Sequence, residues 1–277
     1  MKLLNGSELA GFIKERQAKQ VRGLRQAHHV QPKLAIVVTV DNPVIDVYMR
    51  MKKKYGADIL IDVDIHRIAQ AEAPDTIAQL NTDPSVYGII VQLPLEDPSQ
   101  TDEIVDLVAP EKDVDALGKH AIFDPATPMA ILWLLSGYNI DLQGKDVLLI
   151  GRGKLVGAPL ERMLQNSGVK VFAADSSTTD LVERARAADV IITATGQAGI
   201  LTTDMVKPGA IVVDAGTASE SGKTVGDIAP ELYERGDISI TPQKGGVGPL
   251  TVCALFDNVI RAARRTVESE ASSQSPA

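Results

Sequence analysis

The chain has 277 residues with 44% hydrophobic and 23% charged content, which suits a globular protein long enough for two domains. A net charge of -8 argues against a nucleic-acid partner, and the single cysteine, Cys253, excludes an intrachain disulfide and a multi-cysteine metal site. No signal-peptide core and no apolar segment of membrane-spanning length occurs, so the expected setting is the reducing cytoplasm, without membrane contact.

Ser7 is a candidate N-cap for a first helix whose apolar residues Leu9, Phe12, Ile13, Val21 and Leu24 recur at helical spacing to about Gln26. Leu34 to Val40 is a continuous apolar run and predicts a buried strand. Asn42-Pro43 opens a helix ending near Gly56. Strands at Ile59 to Val63 and Tyr87 to Gln92 flank a helix over Asp75 to Leu80, and Thr101 to Val108 predicts another helix. Strand and helix alternation of this kind predicts a parallel sheet covered by helices.

A second alternating set follows Thr127-Pro128, beginning with a helix over Met129 to Leu135. Strands are predicted at Val147 to Ile150, Val169 to Ala174, Val190 to Ala194, Ala210 to Val213 and Ile238 to Ile240. Pro249 opens a last amphipathic helix bearing Val252, Leu255, Phe256 and Val259 on one face. The fold class is α/β, in two domains with mainly parallel sheets flanked by helices and a cleft between them. Residues 1–125, completed by helix 249–266, form the first domain and 126–248 the second, Rossmann-like one. The end, 267–277, is predicted to be unstructured.

The stretch Asp146 to Pro159, DVLLIGRGKLVGAP, is central to the second domain. A strand, the glycines Gly151, Gly153 and Gly157, and then a helix form the order in which backbone amides and a helix N-terminus cradle a pyrophosphate. The same glycines also suit a tight turn that needs only their conformational freedom. Asp175 ends the next strand, where a ribose-binding carboxylate belongs in a Rossmann unit, and it could equally cap the turn before Thr178.

Tyr48 and Lys52 are four apart and share one helix face, although Lys52-Lys53-Lys54 also reads as a solvated basic run. Gln92 ends a strand at the sheet edge that ligands use, or caps the following turn. Asp113 and Asp115 fit a loop either as ligands or as turn formers. His28, His29, His66 and His120 have no metal-ligand spacing, so no metal is expected.

Taken together in order, Tyr48-x-x-x-Lys52, VQLPL (91–95), PEKDVD (110–115), Thr127-Pro128, Gly151-Arg152 with Val156-Gly157-x-Pro159, Pro208-Gly209-Ala210, Gly226-Asp227 and GGVGPLT (245–251) carry a resemblance. From about residue 3 to residue 265 the chain resembles the bifunctional methylenetetrahydrofolate dehydrogenase/cyclohydrolase family. The resemblance implies oxidation of 5,10-methylenetetrahydrofolate by a nicotinamide dinucleotide, then hydrolysis of the methenyl product to 10-formyltetrahydrofolate. A dehydrogenase lacking the hydrolytic step and a non-catalytic folate-binding protein are the alternatives.

By position, the resemblance makes Lys52 the catalytic amine, Gln92 its hydrogen-bond partner, Tyr48 the ring that stacks on the folate and Asp115 the holder of the pterin nitrogens. Pro249 and Leu250 join the substrate site. The nucleotide falls to Gly151, Arg152, Gly153, Val156, Gly157, Asp175, Ser176 and Thr217. Family members using NADP usually carry polar and basic residues where this chain has Asp175-Ser176-Ser177, so NAD is favoured over NADP. A homodimer through the nucleotide domain is also implied. Ile45, Ala116, Ala126, Gly153 and Gln243-Lys244 depart from the family pattern around the implied cleft.

Overall fold

The fold was obtained as a computed structural model that describes residues 2–216, 218–220 and 223–274. It divides into two compact units, one of residues 1–11 with 127–251 and the other of 12–126 with 252–277. The first eleven residues thus belong with the second half of the chain, not with the 1–125 segment. The reason is β1 (Lys2–Leu3), which pairs parallel to a strand near residue 240.

In the 12–126 unit, α1 (Gly6–His28) precedes β2 (Lys33–Val38), the central strand of a parallel three-stranded sheet. Its residues Leu34 to Val38 are all buried, as a strand covered on both faces requires. Helix α2 (Pro43–Asp58) starts on a side-chain cap, Asn42 Oδ1 accepting from Val44 N at 2.8 Å, with Pro43 in the first turn. Strand β3 (Asp62–Arg67) lies later than the expected Ile59 to Val63. Ile59 and Ile61 are buried in the exit from α2, and Leu60 turns the chain at φ 66°. Helix α3 (Ala73–Thr82), strand β4 (Val86–Val91) and the short α4 (Thr101–Val105) complete the series. One face of this sheet packs Ala35, Val37, Ile89 and Val91 against Ile77 and Leu80 of α3 and Ile104 of α4.

In the 127–251 unit, α5 (Ala126–Gly137) leads into β5 (Val147–Ile150), α6 (Gly157–Asn166), β6 (Val171–Ala174), α7 (Leu181–Ala187), β7 (Val190–Thr193) and β8 (Ile211–Asp214). Strands β9 (Ala218–Glu220) and β10 (Lys223–Val225) form a small antiparallel pair, and β11 (Ser239–Ile240) closes the main sheet. The six-stranded order is β1-β11-β8-β7-β5-β6, all neighbours parallel. Leu148, Ile150, Ile191, Val212 and Ile240 join one buried cluster beneath it. The last helix, α8 (Val247–Gln274), begins two residues before Pro249 and carries helix through 267–274, where no structure was expected. Glu, Ala and Ser there contain no Gly or Pro to break it before Pro276. No helix among the described residues is long and apolar enough to cross a membrane.

Candidate active site

Strands β2, β3 and β4 of the 12–126 unit all run in one direction, so their carboxyl ends gather at one sheet edge. Gln92 follows β4 directly, its backbone N donating to Val37 O at 2.9 Å, which seats it on that edge. Its side chain has a fixed orientation. Nε2 donates to Leu93 O at 2.8 Å, and Oε1 accepts from Lys52 Nζ at 2.9 Å.

Lys52 is half-buried, while Lys53 and Lys54 beside it are exposed. The helical period turns one lysine of the run inward and leaves the other two in water. Burial pushes the Lys52 pKa below the ordinary lysine value, and the Asp115 carboxylate pulls it back up. Asp115 is itself pushed above the usual carboxylate range by burial, against the opposing pull of Lys52. An amine whose pKa is lowered by burial, held by an amide oxygen and near an acid, gives up its proton more readily than an exposed lysine. Tyr48, one turn before Lys52 on α2, keeps 42% of its surface exposed and offers an open ring.

The two aspartates of PEKDVD have separate roles. Asp113 is buried, and its carboxylate accepts from Gly118 N at 2.8 Å and Leu117 N at 3.4 Å, so it is a turn former. Lys112 of the same motif donates to Leu80 O at 3.0 Å and Asp83 O at 2.7 Å, closing the end of α3. Asp115 is half-buried and takes no part in that turn. Ala116 follows it in the left-handed region at φ 56°.

In the 127–251 unit, the glycine turn joins β5 to α6 as expected. Gly151 has φ 105°, and a Cβ there would come 2.5 Å from Ala194 O; a Cβ on Gly157 would overlap Gly151 O. Neither position accepts a side chain, because the turn packs against its own backbone and that of Ala194. Gly153 has open space around it, so its lack of a side chain is not a steric requirement. Val156 is half-buried at the start of α6, and Ser176 is exposed. Arg152 donates from Nε to Glu161 Oε2 at 3.0 Å, and its Nη1 is 4.0 Å from Asp175 Oδ2.

Asp175 lies just past β6, with Oδ1 accepting from Ser177 N at 2.9 Å and Ser177 Oγ at 2.6 Å. The bonds from Ser177, ahead of the Arg152 charge, hold its carboxyl below the usual range. It therefore forms a side-chain turn while its other oxygen stays available. Thr217 lies outside the described residues. Pro249 is half-buried, and Leu250 has no exposed surface.

Two carboxylates brace the exit of β7: Asp227, which the sequence singled out only as part of Gly226-Asp227, and Asp214, which it did not. Asp227, fully buried, accepts from Thr195 N at 2.6 Å and Gln197 N at 3.0 Å. Asp214 accepts from Asp227 N at 3.2 Å and Gly216 N at 2.9 Å. Both are acids closing strong apolar strands or following glycine, a signal that was present but not read as structural.

A parallel sheet with a glycine turn at its first helix and an acid after its second strand defines a dinucleotide-binding unit. With a half-buried lysine on α2 bonded to a glutamine at the sheet edge of the other unit, fold and site define a two-domain α/β dehydrogenase class. The catalytic-domain model described as tetrahydrofolate dehydrogenase/cyclohydrolase matches residues 4–115, and the family's NAD(P)-binding domain matches residues 125–267. The chain belongs to the tetrahydrofolate dehydrogenase/cyclohydrolase family. It is 38% identical to the bifunctional protein FolD of Paraburkholderia xenovorans over 98% of this chain and 99% of that protein. The crystal structure of the bifunctional FolD enzyme from Campylobacter jejuni superposes with a TM-score of 0.90 at 37% identity, covering 96% of this chain and 99% of that one. The Trypanosoma brucei enzyme complexed with NADP and an inhibitor is 27% identical, with a TM-score of 0.89 over 96% of this chain and 98% of its own.

Proposed function

We propose that this chain oxidises 5,10-methylenetetrahydrofolate to 5,10-methenyltetrahydrofolate with a nicotinamide dinucleotide, and hydrolyses that product to 10-formyltetrahydrofolate. The observation that carries the reading is Lys52 Nζ held 2.9 Å from Gln92 Oε1 with its pKa lowered by burial. A carrier of folate would have no need of an amine whose pKa is lowered there.

In the hydrolytic step, neutral Lys52 donates one hydrogen to Gln92 Oε1 and keeps its lone pair for a water molecule. As the water oxygen bonds to the methenyl carbon, Lys52 accepts its proton. The bond from that carbon to N5 then breaks with its electron pair left on N5 as the carbinol oxygen becomes the formyl C=O; of the two water protons one ends on N5 and the other is released to solvent, which balances the charge of the methenyl cation. Asp115 binds the pterin nitrogens, and its charge favours the cationic methenyl form. Tyr48 gives the substrate a flat apolar surface and fixes its plane. For the oxidative step a bound nicotinamide would supply the hydride acceptor for the methylene carbon. The residues fit that group in that Gly151 and Gly157 let β5 turn tightly into α6, which sets the N-terminus of α6 beside the turn where a pyrophosphate would be held.

NAD is the preferred dinucleotide in this reading. Asp175 can accept from ribose hydroxyls and repels a 2′-phosphate, with Arg152 offsetting only part of that repulsion at 4.0 Å. The working protein is a homodimer through the dinucleotide-binding unit, a reading that rests on the family resemblance and that light scattering tests directly. A monomer would remove it.

The function is tested by mixing the protein with methylenetetrahydrofolate and each dinucleotide while following reduced nicotinamide and methenyl absorbance. Reduction of cofactor followed by decay of methenyl absorbance is expected; no reduction with either dinucleotide overturns the reading. Asp175→Asn keeps an oxygen for the Ser177 bonds but removes the charge, so kcat/KM for NADP relative to NAD should rise. An unchanged ratio returns Asp175 to turn formation alone.

A further inference from the structure

The segment from Val114 to Asp124 contains no helix or strand, yet it carries Asp115. Both of its ends are held by one distant side chain. Asn258 of α8 is fully buried, and its Nδ2 donates to Val114 O and to Asp124 O, each at 2.9 Å. Its Oδ1 accepts from Arg261 Nη1 at 3.3 Å, and the Arg261 guanidinium lies 5.6 Å from the centre of the Phe123 ring within the same segment. Asn258 thus has both amide hydrogens and its oxygen engaged, in a place where an unmet polar group is costly.

The segment is not held by packing alone. Gly88 makes room for Val114, since a Cβ there would sit 2.9 Å from both Val114 methyl groups. Between the two tied ends, the backbone at Ala116 is in the left-handed region at φ 56°, which an L-residue holds only under constraint from its surroundings. Ala116 N donates to Asp113 O at 3.3 Å and the Asp113 carboxylate holds Leu117 N and Gly118 N, so that turn shapes the backbone beside Asp115 while Asn258 fixes the two ends of the segment.

We propose that Asn258 is a positioning residue for the folate site, tying Val114 to Asp124 so that Asp115 is presented to the substrate. The inference rests on the folate reading of Asp115. It deepens that reading by assigning part of substrate recognition to a helix more than a hundred residues further along the chain. Asn258 itself touches no substrate.

Asn258→Asp preserves shape but sets a carboxylate oxygen against two carbonyls; Asn258→Ser, a neutral variant, cannot reach both. In the full chain, the expected result for either variant is a rise of about tenfold in KM for methylenetetrahydrofolate, the scale of one lost buried hydrogen bond. KM for the dinucleotide should stay within about twofold, as for a distant independent site. Amide hydrogen exchange should speed up across 114–124. The Ser variant decides the matter where the Asp variant does not fold. An unchanged folate KM with a lowered melting temperature would show a merely structural role and overturn the proposal, as would equal changes in both KM values. If the wild-type protein turns over no methylenetetrahydrofolate, the folate reading fails instead. The exchange data would then still report whether Asn258 ties the segment.

Discussion

Replacing Gly157 by Ala should separate the two activities. The added Cβ would overlap Gly151 O and lie 2.7 Å from Gly151 C and 2.9 Å from Arg152 Cα. All three are backbone atoms, so no rotamer relieves the clash. Carbon atoms in ordinary contact are about 3.5–4.0 Å apart, and the turn must therefore move by roughly 1 Å. Gly151 cannot yield easily, because it already sits so near Ala194 O that its own Cβ would be 2.5 Å away. Overpacking of this kind costs about 1–3 kcal/mol of stability. A misplacement of about 1 Å in a positioning element can cost on the order of a hundredfold in rate. We expect dehydrogenase kcat/KM to fall about a hundredfold, mostly through the dinucleotide KM, with cyclohydrolase activity retained within about twofold because that step uses no dinucleotide. The assay follows reduced nicotinamide for the first activity and decay of supplied methenyltetrahydrofolate for the second. A dinucleotide KM equal to wild type would refute the cradle assigned to this turn.

Gly153→Ser enters open space, so stability should change by less than about 0.5 kcal/mol and the dinucleotide KM should stay near wild type in the same assay. Asp115→Asn removes the charge that raises the Lys52 pKa; the amine then remains neutral to lower pH, and the acid limb of the cyclohydrolase pH profile should move to lower pH. A limb moving to higher pH would contradict the sign of that interaction. Ala116→Gly relieves the left-handed backbone at φ 56° but adds freedom to the unfolded chain, so urea unfolding should show a net gain of about 0.5–1 kcal/mol.

Strands with continuous apolar runs were legible in the sequence. Val147 to Ile150 was read with its observed limits, and Leu34 to Val40 was found because covered strands need apolar residues on both faces. The edge strand β3 was missed by several residues because its DVDIHR pattern is polar, while the apolar residues before it belong to the exit from α2. Helix α7 also escaped notice, being short and heavily charged.

At the site, spacing alone put Tyr48 and Lys52 on one face but could not distinguish Lys52 from its two neighbours. That distinction depends on Gln92, which is forty residues away. Nor did loop position by itself divide Asp113 from Asp115, which only the resemblance separated; in the structure the amides of Leu117 and Gly118 claim Asp113. Asn258 did leave a trace. It is a polar residue next to Val259 and near Leu255 and Phe256, on a face whose period predicts burial.

The most direct test of the account is the rate of methenyltetrahydrofolate hydrolysis by Lys52→Met, measured beside its dehydrogenase rate. Methionine fills a comparable volume without a proton acceptor, so hydrolysis should fall by about a hundredfold to ten-thousandfold while hydride transfer continues. Hydrolysis at the wild-type rate would show that the proton leaves by another group and that the Lys52–Gln92 pair is not the catalytic centre.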